Sequence, residues 1–219
     1  LRVPRFLDLG WHDDRDLLGE IVGHIRAGGL VAMPTETVYG FGCLPGGDPL
    51  RELQRIKARG PENPFLLLIP DPGTVTELEW IPDAEELVEV FWPGALTLVL
   101  NDPGGRFPAG VRNSQGGVGI RVSPHPMARA LVKALDGPIV STSANVPGGS
   151  PALSAREAME AVKALNPRAP FWVLDGGPLR PSPSSTVVDC TGDAPVVRRV
   201  GAIPVERLRC VLPGLTEET

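Results

Sequence analysis

"GGLVAMPTETVYGFG", Gly28–Gly42, is the stretch on which the fold turns. Gly28 and Gly29 stop an amphipathic run, and "LVAMP" after them reads as the first strand of a sheet. At the end of that strand stand Thr35, Glu36, Thr37 and Tyr39, and the stretch closes on Gly40 and Gly42. A strand end with hydroxyls, one carboxylate and little bulk is dressed for a small polar ligand. Thr35 offers a compact donor and acceptor, and the glycines keep the backbone low beneath it. Glu36 reads as the ion-pair partner of a loop cation.

Outward from this stretch, helix and strand signals alternate. The run before Gly28, from about Asp14 to Ala27, carries Leu17, Leu18, Ile21, Val22 and Ile25 on one helical face. Beyond it, Asp48 and Pro49 read as N-cap and first residue of a second helix, with Leu50, Leu53 and Ile56 inward. "PFLLLI", "LTLVL", "GVGIRV", "PIVSTS", "FWVLD", "STVVDC" and "PVVRRV" read as strands. Helices are expected over "DAEELVEVFW", capped by Asp83 with Glu86, over "PMARALVKAL", and over "AREAMEAVKAL", capped by Ser154 with Glu157. A short helix follows Pro204. The sum, about eight strands and at least five helices, predicts an α/β fold: an open, twisted, mixed sheet with helical cover.

With 219 residues, 42% of them hydrophobic, the chain has apolar material for one domain, read here as spanning 1–219. The net charge of -5 argues against a general basic surface for nucleic acid. Cys43, Cys190 and Cys210 are scattered and odd in number, which suits reduced thiols in the cytoplasm. No apolar run approaches the roughly 20 residues of a membrane span, and "LRVPRFLDLGWHDD" lacks a signal-peptide core. The 25 prolines and 26 glycines punctuate apolar segments, so they mark element boundaries.

Several chemistries are missing. There is no phosphate loop, no G-x-G-x-x-G after the first strand and no G-x-S-x-G elbow. His12, His24 and His125 build no triad, and no His/Cys group has zinc spacing. Polar residues gather instead at strand ends: Thr35 and Thr37, Arg121, Ser141 to Asn145, Ser184 to Thr186, and Arg198 with Arg199. Lys57 and Arg59 add cations at a helix C-terminus, where they also complement the dipole. A pocket of hydroxyls and cations suits phosphates and a small polar substrate bound outside strand ends.

In chain order, "GGLVAMPTETVYGFG", "RIKARGPENPF", "FWPGALTLVL", "GVGIRVSPHP", "STSANVPGGSP" and "SSTVVD…VVRRVGAI" resemble the successive motifs of the YrdC family, from about Leu17 to about Arg207. The resemblance implies an open α/β fold of the short, single-domain type, with one concave, positively charged face. It implies an L-threonylcarbamoyl-AMP synthase, a nucleotidyltransferase using ATP, L-threonine and bicarbonate, with Mg2+ accompanying ATP and no protein-held metal. The product would pass to a tRNA threonylcarbamoyl transferase complex, with tRNA itself bound weakly at most. Carried over by motif, Lys57, Arg59, Ser143 and Asn145 are catalytic and touch ATP, together with Gly117, Pro151 and Arg199. Thr35, Arg121, Ser141 and Ser185, or its neighbour Ser184, fall on the threonine side. Gly60, Ser123 and Val200 replace the family's usual prolines, and Leu68 replaces a histidine. Two other readings are a carbamoyl-adenylate enzyme related to hydrogenase maturation and a non-catalytic RNA-binding module. Absent cysteine motifs weigh against the first; net acidity and few aromatics weigh against the second.

Overall fold

The computed structural model describes residues 5–8, 15–60 and 62–218. His12 and the expected helix start at Asp14 lie outside the described residues. The strands are β1 Arg5–Asp8, β2 Leu30–Pro34, β3 Tyr39–Cys43, β4 Leu66–Leu68, β5 Leu96–Asn101, β6 Gly117–Arg121, β7 Ile139–Ser143, β8 Phe171–Asp175, β9 Thr186–Asp189, β10 Val196–Arg199 and β11 Thr216–Glu217. The α-helices are α1 Arg15–Arg26, α2 Gly47–Lys57, α3 Pro82–Phe91, α4 Pro126–Leu135, α5 Ala155–Leu165 and α6 Val205–Arg209.

All these strands join in one sheet, ordered β1-β8-β2-β3-β7-β4-β6-β5-β9-β10-β11. It is mixed as expected: β2/β8, β4/β6 and β5/β9 run parallel, while β2/β3, β3/β7, β4/β7 and β5/β6 run antiparallel. The reading of about eight strands missed β1, β3 and β11. "YGFGC" looks like a loop because of its glycines, yet a Cβ on Gly40 would stand 2.8 Å from Ser141 Oγ, and one on Gly42 2.9 Å from the Val140 carbonyl. Glycine is what lets β3 lie against β7.

Side chains alternate across the strands, and this period builds two unequal layers. On one face Phe41, Leu67, Leu98, Leu100, Val118, Ile120 and Val140 enter the main core with α2, α3, α5 and α6. On the other, α1 and α4 pack on Val31, Met33, Leu68, Ile139 and Leu174. That smaller layer covers only part of its face. Leu68, where a histidine was expected, is 1% exposed inside it and is a packing residue.

Two capping expectations change. Ile81, with no side-chain cap, precedes α3, because Pro82 takes the first helical position and moves Asp83 into the first turn. Gly46 likewise caps α2, leaving Asp48 in its first turn. Ser154 does cap α5, accepting from Glu157 N–H at 3.2 Å, while Glu157 Oε2 accepts from Leu153 N–H at 2.6 Å.

Candidate active site

Where α1 and α4 leave the sheet uncovered, an open cleft of about 280 Å3 forms. Its floor is the second set of alternating positions: Gly117, Gly119 and Arg121 of β6, Thr97 and Val99 of β5, Ser141 and Ser143 of β7. The cleft therefore lies on an open face of the sheet, and Arg121 and Ser143 reach it from strand ends. Small residues are needed there because they are the floor. A Cβ on Gly117 would meet Asn113 Nδ2 and Val99 Cγ1, each at 2.9 Å.

Three guanidinium groups, of Arg59, Arg121 and Arg199, line this cleft. Burial lowers the pKa of Arg199, and the charges of Arg121 and Arg59 lower it further. Arg199 donates to the Ser185 carbonyl from Nη2 at 2.9 Å, and Ser185 Oγ lies 2.8 Å from Thr97 Oγ1. Gly201 allows this junction, since a Cβ there would sit 2.1 Å from the Ser184 carbonyl oxygen. Among the described residues, Arg121 Nε, like Glu36 Oε1, is buried without a hydrogen-bond partner.

Glu36 pairs with a strand cation and not a loop cation: its Oε1 is 3.4 Å from Arg121 Nη1. Burial lowers the Arg121 pKa, and Glu36 opposes that shift.

The expected residues divide into two groups. Thr35, Arg59, Gly117, Arg121, Ser141, Ser143, Ser185 and Arg199 line the cleft, and Ser184 does too. Lys57, Asn145 and Pro151 do not line it. Lys57 points behind the cleft, donating to the carbonyls of Ser143 at 3.0 Å and Asn145 at 2.8 Å, and to Asn145 Oδ1 at 2.6 Å. An ammonium has three protons to give, and all are taken. Burial, then the Arg59 charge, pulls its pKa down to about 8. The divergence from Arg59 arises at the end of α2. Ala58 adopts a left-handed backbone (φ 48°), and Arg59 N–H returns to the Gln54 carbonyl at 3.0 Å. That turn swings Arg59 over Phe65, its guanidinium 5.2 Å from the ring centroid, and into the cleft.

Thr35 lines the cleft, but its hydroxyl is largely spent. It donates to the Val38 carbonyl at 2.7 Å and accepts from the N–H groups of Thr37 and Val38, each at 3.3 Å, closing the β2–β3 turn. Thr35→Ala is therefore expected to lower stability by about 1–2 kcal/mol, with Thr35→Ser restoring most of it. Paired melting curves check this; an unchanged melting temperature in the alanine variant would contradict it.

Thr97 and Asn113 were not anticipated. Thr97 had a signal, a polar residue amid the apolar "LTLVL". Asn113 had none, since it is set by Gly117 N–H donating to its Oδ1 at 2.7 Å.

Comparison with known proteins places the chain in a family. The family model Sua5_yciO_yrdC, described as telomere recombination, matches residues 24–201. The chain belongs to the Sua5/YciO/YrdC family. A Mycobacterium tuberculosis relative is 37% identical over 195 residues, 87% of each chain. The threonylcarbamoyl-AMP synthase of Bacillus subtilis is 35% identical over 86% of this chain and 54% of its own. The crystal structure of Pyrococcus abyssi Sua5 complexed with L-threonine superposes with a TM-score of 0.88 at 30% identity, covering 97% of this chain. The present chain spans 62% of that structure. Within the Sua5/YciO/YrdC family, then, the open mixed sheet expected from sequence is the one observed. No helix among the described residues is long and apolar enough to cross a membrane.

Proposed function

We propose that this chain joins L-threonine, bicarbonate and ATP into L-threonylcarbamoyl-AMP, releasing pyrophosphate. The observation that carries this reading is the cleft itself: three arginines above a floor of hydroxyls and glycines. Similarity to synthases of that name supports it.

The chemistry asks for charge and orientation. Threonine's amine condenses with bicarbonate to give a carbamate and water. A carbamate oxygen then bonds to the α-phosphorus of ATP as the bond to the pyrophosphate oxygen breaks. Arg59 and Arg199 offset the negative charge that builds on the phosphates. Arg121 receives the threonine carboxylate. Ser141, Ser185 and the Thr35 turn shape the amino-acid end, and Ser143 orients the reacting groups. Gly117 leaves room for the nucleotide, with Asn113 beside it. Lys57, Asn145 and Pro151 frame the loop after β7, so the role of Lys57 is to hold Ser143 in place.

Mg2+ belongs to the substrate, as MgATP. Among the described residues no His/Cys/Asp/Glu group could hold a metal, and Glu36 is already engaged by Arg121 and Ser123. The product goes to a cytoplasmic transferase that modifies tRNA, so adenylate formation itself runs without tRNA. Pyrophosphate release should need threonine and bicarbonate together and stay unchanged when tRNA is added. Release that persists without threonine, or that demands tRNA, would overturn the assignment.

A further inference from the structure

Arg121 ends β6 with its side chain 5% exposed, and its setting continues away from the cleft. Glu36 Oε1 approaches Nη1 at 3.4 Å. The second oxygen, Oε2, accepts a hydrogen bond from Ser123 Oγ at 2.5 Å. Ser123 Oγ in turn accepts from His125 N–H at 3.2 Å. The backbone thus fixes the serine oxygen and aims its proton at Glu36. Ser123 and Glu36 do not line the cleft, whereas Arg121 does.

We infer that Ser123 and Glu36 are positioning residues that aim the Arg121 guanidinium at the carboxylate of the amino-acid substrate. The inference rests on the proposed function. A buried guanidinium with one carboxylate at 3.4 Å is held by charge but oriented loosely, because charge attraction has little directionality. Anchoring the far carboxylate oxygen removes that freedom: Glu36 cannot swing, so Nη1 stays tied to it and the guanidinium keeps one direction at the cleft. Glu36 also supplies the counter-charge that lets a cation stand desolvated before substrate arrives. Without a hydroxyl at 123, Glu36 Oε2 loses this donor and the guanidinium its fixed direction. Threonine capture then weakens, while the phosphate-facing Arg59 and Arg199 are untouched.

The test compares wild type, Ser123→Ala, Ser123→Thr and Glu36→Gln by steady-state kinetics with threonine and ATP varied separately, beside a melting curve for each. Ser123→Ala should raise the KM for threonine about 5- to 10-fold, with kcat and the KM for ATP within about twofold of wild type. Ser123→Thr, which keeps the hydroxyl, should return the threonine KM to within about twofold of wild type. Glu36→Gln should raise the threonine KM at least as much, and it carries the test if Ser123→Ala does not fold. An unchanged threonine KM in a folded Ser123→Ala protein, or equal rises for both substrates that Ser123→Thr does not reverse, would overturn the inference while leaving the proposed function standing. Absence of threonine-dependent turnover in the wild type would overturn both.

Discussion

Lys57→Ala is expected to cost about 3 kcal/mol of folding stability, lowering the melting temperature by roughly 10 °C for a chain of this size. The ammonium binds the carbonyls of Ser143 and Asn145 and the Asn145 amide oxygen at the end of β7, and the alanine removes all three bonds, leaving the Ser143 carbonyl to Asn145 N–H and the amide oxygen to Ser143 Oγ. It also removes the stem that places Nζ 5.8 Å from the centroid of the Phe41 ring. Activity should fall as well, because Ser143 lines the cleft from the end of β7. The signature of a clamp is that both losses arrive together. A Lys57→Ala protein with wild-type stability and a selective rise in the KM for ATP would instead make Lys57 a direct phosphate ligand.

Arg59→Ala should behave in the opposite way. Its guanidinium lines the cleft, and its one side-chain hydrogen bond among the described residues, to the Pro64 carbonyl, is long at 3.4 Å. Little of the fold depends on it, so the melting temperature should move by no more than about 2 °C. A charge-assisted hydrogen bond to a phosphate is worth about 1.5–3 kcal/mol, so turnover should drop about 10- to 100-fold. Stopped-time pyrophosphate assays on wild type and variant check this. Near-normal turnover in Arg59→Ala would remove Arg59 from the chemistry.

These two residues show where sequence reading runs out. "KAR" announces two cations at a helix end, and it is natural to give both the same partner. Their separation depends on Ala58 entering the left-handed region, a conformation alanine rarely adopts and that nothing in "RIKARG" signals. The helices were legible because each buries one stripe, as α2 does with Leu50, Leu53 and Ile56. The central strands were legible as apolar runs. β3 was not, because its glycines exist for contact with β7, a neighbour about 100 residues away in sequence. The edge strands β1 and β11 were too short and too exposed to carry a pattern.

The site's residue types were visible before its geometry. Arg121, Ser141 and Ser185 could be picked out as polar groups near strands, but which face they share follows from register. Arg121 pairs with Leu68 of β4, and Leu66 pairs with Ser141 of β7, which carries them to one side of the sheet. The departures from the family pattern were equally legible as letters and mute as structure. Leu68 is a core residue under α4, while Ser123 holds Glu36.

The central claim is that one cleft joins three small molecules into an adenylate. The most direct measurement supplies carbon-labelled bicarbonate, L-threonine and MgATP to the purified chain without tRNA, then separates the nucleotides by chromatography. Label is expected in a threonine-containing AMP adduct, formed one for one with pyrophosphate and lost when threonine is omitted. Pyrophosphate without labelled adduct, or ADP and phosphate in its place, would contradict it.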